Sequence, residues 1–150
     1  MSVIDVGQQA PAFELTNQDG TTVNLATFSG QNVLLWWYPK ADTPGWTREG
    51  NGFRDRIQDF EAKNTVILGV SFDSPEANKA FKEKFQFPFD LLTDVQKEMS
   101  IAYGAADQES ARPSRVSVLV GPDGRVAASY GSVKPDEHPD EVLADLEKLS

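Results

Sequence analysis

A chain of 150 residues, 39% of them apolar and including nine Phe, three Trp and three Tyr, is long enough to bury one core without cross-links and too apolar to stay disordered. Its formal charge of -9 repels phosphate backbones and anionic lipid alike, which excludes nucleic acid and acidic membrane surfaces as partners. With no cysteine and a single histidine it has no disulfide, no Cys-x-x-Cys redox pair and too few soft ligands for zinc.

The first element is a short β-hairpin: Ala12-Phe13-Glu14-Leu15 and Thr22-Val23-Asn24-Leu25 alternate apolar and polar residues around the turn-forming Asn17-Gln18-Asp19-Gly20. Val33-Leu34-Leu35-Trp36-Trp37-Tyr38 is a continuous apolar run that suits a central strand covered on both faces, with Trp36 and Trp37 on opposite sides and Pro39 as its stop. Thr43 then reads as a helix N-cap and Pro44 as the first helical residue. The helix is expected to run to about Ala62, with Trp46, Phe53, Ile57 and Phe60 on the face that meets the sheet.

Thr65 to Phe72 is the next buried strand, and Ser74-Pro75-Glu76 repeats the cap-then-proline signature before a helix through about Phe85. Phe89 to Leu92 reads as a short strand, Val95 to Tyr103 as a short helix, and Arg115 to Val120 as a strand. The Pro122-Asp123-Gly124 turn leads into Val126 to Tyr130 and makes those last two strands antiparallel neighbours. Pro139 to Leu149 closes the chain as a helix, the acidic residues Asp136 to Glu141 favouring its N-terminus and His138 a solvated neighbour of its cap. Alternating β and α with a terminal hairpin predicts one α/β domain over residues 1–150, a thioredoxin-like sandwich with a mixed central sheet flanked by helices. The antiparallel end argues against a flavodoxin-like sheet. No basic-then-apolar leader opens Met1-Ser2-Val3-Ile4-Asp5 and no apolar run reaches membrane-spanning length, so a cytosolic address is expected.

Chemistry is expected where the central strand hands over to the first long helix, Tyr38-Pro39-Lys40-Ala41-Asp42-Thr43-Pro44-Gly45-Trp46-Thr47-Arg48-Glu49. Ligands gather at such turns in α/β sheets, and the free N–H groups of a first helical turn stabilise an anion or depress a thiol pKa. The stretch resembles the peroxiredoxins of the bacterioferritin comigratory, or Q-type, group: a strand ending in Tyr-Pro-Lys, then Asp-Thr-Pro-Gly-Cys-Thr-x-Glu, and later Gly-Phe-Arg-Asp. This chain matches all of it except the cysteine, whose place is taken by Trp46. The likeness extends from Gly7-Gln8-Gln9-Ala10-Pro11-Ala12-Phe13 through Leu91-Leu92-Thr93-Asp94 and Ala102-Tyr103-Gly104 to the Arg115 strand and Gly121-Pro122-Asp123-Gly124.

Carried over by position, the resemblance makes Pro39 the shield of the pocket, Thr43 the hydroxyl that holds thiolate and peroxide, and Arg115 the positive charge. Glu49 would orient Arg115 through a charged hydrogen bond. Trp46 stands at the place of the peroxidatic Cys or Sec, and Asn51 at that of a resolving cysteine. The resemblance further implies peroxide as substrate and thioredoxin, glutaredoxin or a small thiol as reductant, with no bound cofactor. Indole neither ionises in the accessible pH range nor attacks oxygen, so the chain as written is expected to reduce no peroxide. Three origins for Trp46 stand open: replacement of a cysteine, recoding of the UGA of a selenocysteine parent as the UGG of tryptophan, and a natural pseudo-peroxidase. Two functions stand beside each other: a peroxidase scaffold lacking its nucleophile, and a non-catalytic binding module. An activating shell of Thr43, Glu49 and Arg115 favours the first.

Overall fold

The computed structural model describes residues 2–41 and 44–149, with the side chain of Trp46 outside the description. Seven strands form one sheet in the order β2-β1-β5-β4-β3-β6-β7: β1 (Glu14–Thr16), β2 (Thr22–Asn24), β3 (Asn32–Trp37), β4 (Thr65–Ser71), β5 (Asp90–Thr93), β6 (Ser117–Val120) and β7 (Val126–Tyr130). β3 pairs in parallel with β4, and β4 with β5, while the other neighbours are antiparallel, including the N-terminal β1–β2 pair. This mixed, mostly antiparallel sheet flanked by helices is the thioredoxin-like arrangement that the element order predicts.

Alternation along β3 decides which side chains go where. Leu34, Trp36 and Tyr38 face a layer built from α1 (Pro44–Asp55), α2 (Ile57–Ala62), α3 (Pro75–Phe85) and α5 (His138–Leu149). Val33, Leu35 and Trp37 face the opposite way, toward Met99 of α4 (Glu98–Ala102), Tyr103 and Phe13. Trp36 and Trp37 thus anchor separate cores, both wholly buried. On the α1 side, the Trp36 ring lies 5.6 Å from Phe53, which lies 5.7 Å from Phe60. Helix α1 seats closely because of Gly50, where even a Cβ would come within 2.5 Å of the Phe87 ring.

Several boundaries differ from the sequence reading, each for a local reason. The long helix breaks at Arg56, whose backbone (φ -111°, ψ 15°) leaves the helical region, so α1 and α2 are separate. α4 begins at Glu98 because Lys97 adopts a left-handed φ of 64°, and β6 begins at Ser117, two residues past Arg115. Ser74 caps α3 as anticipated, accepting from the Ala77 N–H at 3.1 Å. His138 corrects an expectation: it is 1% exposed, with its ring 4.8 Å from Tyr130 and 5.9 Å from Phe53 and its Nδ1 2.8 Å from Glu141 Oε1. Burial holds its pKa below the usual histidine value, against the raising pull of Glu141 and Asp145. Among the described residues, no helix is long and apolar enough to cross a membrane.

Phe53 joins Trp36, Phe60 and His138 in one packed group, so Phe53→Ala should cost about 3–5 kcal/mol of stability. Urea unfolding followed by tryptophan fluorescence measures it, and a loss below about 1 kcal/mol would mean that this contact does not seat α1.

Candidate active site

The site is organised by the two strands that flank the carboxyl end of β3. On one side β4 runs parallel, and the Tyr38 N–H donates to Val70 O at 3.1 Å, so the loop after β4 lies beside the segment leaving β3. On the other side β6 runs antiparallel, pairing Ser117 with Trp36, and the Trp37 N–H donates to Val116 O at 3.0 Å. An antiparallel strand enters where its neighbour leaves, so Arg115, next to Val116, lies beside the residues that leave β3.

Pro39 is half-buried in a bend directly after Tyr38, Lys40 is exposed, and the Ala41 N–H donates to Asp73 Oδ2 at 2.8 Å. Thr43, expected as the N-cap and the hydroxyl of the site, lies outside the described residues, as do Asp42 and the side chain of Trp46. The backbone of Trp46 is the third residue of α1. Its place on the first turn puts it among N–H groups that have no carbonyl partner within the helix, where the end of the macrodipole is positive.

Glu49, one turn further along, is 0% exposed. Both carboxylate oxygens are buried without a hydrogen-bond partner among the described residues. Burial pushes its pKa well above the usual carboxylate range, and the Arg115 charge pulls the other way without overcoming it. The two residues therefore interact electrostatically. Arg115 itself is exposed and engaged in interactions of its own. Asn51 lies half-buried on α1, its Oδ1 also without a partner among the described residues. So do the Nε1 of Trp36 and the Oγ of Ser117, on paired residues of β3 and β6.

Sequence reasoning overlooked the polar groups behind the turn. The Tyr38 hydroxyl donates to Asn78 Oδ1 at 2.6 Å, Ser71 Oγ donates to the same oxygen at 3.3 Å, and Asn78 Nδ2 donates to Thr93 Oγ1 at 3.2 Å. A signal was available: a tyrosine closing a fully apolar run needs a partner for its hydroxyl. Asn78 stands three residues before the inward Phe81 on α3, on the same helix face.

The first turn of a helix favours negative charge, and position 46 stands on that turn. Tryptophan places no ionisable group there. Among the described residues, no group of three or more His, Asp or Glu side chains is placed to hold a metal ion.

The AhpC/TSA family model matches residues 6–129. Peroxiredoxin Bcp of Bacillus subtilis is 36% identical over 153 residues, covering 98% of each chain. Among solved structures, peroxidoxin BcpB of Mycobacterium tuberculosis superposes with a TM-score of 0.90 at 28% identity, covering 98% of this chain and 99% of its own. The Xanthomonas campestris bacterioferritin comigratory protein, described for its alkyl peroxide reduction activity, gives 0.89 at 30% identity over 97% and 99%. The chain therefore belongs to the AhpC/TSA family, as a thioredoxin-fold peroxiredoxin of the Bcp and Q type that contains no cysteine.

Proposed function

We propose that this chain is a peroxide-reducing scaffold whose attacking atom is missing at position 46, inactive as it stands and restored by a cysteine or selenocysteine there. The observation that carries the reading is that position 46 falls on the first turn of α1 in a chain with the fold of the Bcp-type peroxiredoxins, with Glu49 buried one turn on and under the influence of the Arg115 charge. In a restored enzyme the thiolate attacks one peroxide oxygen, the S–O bond forms as the O–O bond breaks, and the second oxygen leaves as hydroxide or alkoxide and takes a proton from solvent. Arg115 stabilises the charge on the attacking sulfur and the departing oxygen. Thr43 holds thiolate and peroxide in line, Pro39 keeps water off the thiolate, and Glu49 supports Arg115 from below. A thiol reductant then returns the sulfenic acid to thiol: thioredoxin, glutaredoxin or a small thiol. With Asn51 in place of a resolving cysteine, that reductant attacks the oxidised centre directly. A cytosolic setting fits this chemistry, since thiol pools are reduced there.

Trp46→Cys, and selenocysteine at the same position, should raise peroxide consumption from background to a kcat/KM on the order of 10⁴ M⁻¹s⁻¹ or more, the lower end of ordinary enzymes. A coupled peroxide assay with thioredoxin or dithiothreitol reads it. Two folded but inert variants would sink the scaffold reading in favour of a binding module, as would turnover by the unaltered chain.

Glu49 generates a second expectation. Its folded pKa is raised, so folding takes up a proton above the ordinary carboxylate pKa of about 4.3. The stability it contributes is present below that pH and is lost as pH rises toward the folded value. Glu49→Gln removes this slope, so the variant should gain in urea midpoint relative to the parent chain between pH 4 and 8. Parallel pH profiles would show that Glu49 is ionised in the folded protein.

A further inference from the structure

Building on that reading of the turn, we propose that Asp73 is a positioning residue for the site: its carboxylate fixes the segment that delivers the residues of the first turn of α1. The bond in question runs from the Ala41 N–H to Asp73 Oδ2 at 2.8 Å. Ala41 is followed by Asp42 and Thr43, and α1 opens at Pro44, so this amide is held three residues before the helix that carries position 46.

Asp73 is itself held from the core. Its N–H donates to Ser71 Oγ at 3.2 Å, Ser71 Oγ donates to Asn78 Oδ1 at 3.3 Å, and Asn78 also receives the Tyr38 hydroxyl at 2.6 Å. Asn78 Nδ2 completes the connection to Thr93 at 3.2 Å. Tyr38, Ser71 and Asn78 are all 0% exposed. A continuous line of hydrogen bonds therefore runs from β5 through α3 and β4 to the loop after β3. Capping does not account for Asp73, since Ser74 is the residue whose side chain accepts from the first turn of α3. The carboxylate is directed to the loop instead, from a backbone whose N–H is tied through Ser71 to the buried Asn78.

Two effects of Asp73 have opposite signs and can be told apart. As an acceptor it keeps the first turn of α1, with its free N–H groups, in place at position 46. Losing that geometry raises the pKa of a thiol there and slows attack. As a negative charge near the turn it works against a thiolate, so losing the charge alone lowers the thiol pKa. The positioning role predicts that the first effect dominates.

The experiment is made in the Trp46→Cys protein, with Asp73→Ala, Asp73→Asn and Asp73→Glu added in turn. Asparagine keeps an acceptor oxygen and drops the charge, and glutamate keeps the charge and displaces the oxygen by a methylene. Asp73→Ala and Asp73→Glu should each lower kcat/KM for hydrogen peroxide by about tenfold or more, the scale on which small misplacements act. They should also raise the pH midpoint for iodoacetamide alkylation of the thiol at position 46. Asp73→Asn should stay within about threefold in rate, with a midpoint unchanged or lowered. Should alanine prevent folding, the asparagine and glutamate pair decides the matter. A midpoint lowered by alanine, or asparagine as damaging as glutamate, overturns the proposal. The alkylation midpoint needs no turnover, so it tests Asp73 even if the Trp46→Cys protein proves inert. Inertness of that protein alone counts against the functional reading and not against Asp73.

Discussion

Much of this molecule follows from the way β3 is gripped on both sides. Its register is fixed to β4 by pairs from Asn32 with Thr65 to Trp37 with Val70, and to β6 by Val33 with Val120 to Trp36 with Ser117. A slip of one residue against either neighbour would send Trp36 to the face of Trp37 and exchange the two cores. The grip is reinforced at the Trp36–Gly69 pair. A Cβ on residue 69 would lie 3.2 Å from the Trp36 ring, 3.0 Å from the Tyr38 ring and 2.7 Å from Leu91, so glycine there makes room for the aromatic cluster. With both registers set, the loop after β4 and the residues before β6 have no choice but to flank the segment leaving β3. Asp73, bonded to the Ala41 N–H, and the residues just before β6 lie on opposite sides of that segment for that reason.

The electrostatics of the turn then divide by depth. At the surface stand Arg115 and the open end of α1, both favourable to negative charge. Glu49 is fully buried, and burial favours its protonated form against the pull of the Arg115 charge. Glu49 is thus buried while Arg115, exposed and engaged in interactions of its own, stays at the surface. The hydrogen-bond line from Asn78 to Ala41 contributes the other requirement, geometry.

What could be read from the sequence was what local periodicity controls. The alternation in Val33 to Tyr38 correctly assigned Trp36 and Trp37 to different cores, and the Ser74-Pro75 signature located the start of α3. Element ends were less legible where a single backbone conformation decides them, as with the left-handed Lys97 and the non-helical Arg56. His138 was misread because its neighbours Asp136, Glu137, Asp140 and Glu141 are exposed. Its burial comes from Phe53, distant in sequence, and Tyr130 at the end of β7, whose rings pack against it. The site shows the same division. Trp46, Glu49 and Arg115 could be picked out by resemblance, but that Glu49 is buried and Arg115 exposed depends on how α1 docks on the sheet. Asp73 escaped notice because its target is a backbone N–H, which no side-chain pattern announces.

The likeness to peroxiredoxins and the absence of their nucleophile do not conflict, because the two depend on different numbers of atoms. The fold is held by two cores, six strand pairings and four helices on one face, so its similarity to relatives is spread along nearly the whole chain. One substitution barely changes such a sum. Cleavage of an O–O bond depends on a single polarisable anion at one helix terminus, and no surrounding donor can take over its role, since donors stabilise a charge without supplying an electron pair. A chain can therefore be a full member of the family by every distributed measure and lack the family's reaction at one position. In such a protein the family identifies the scaffold, and the chemistry of residue 46 decides whether the scaffold has anything to activate.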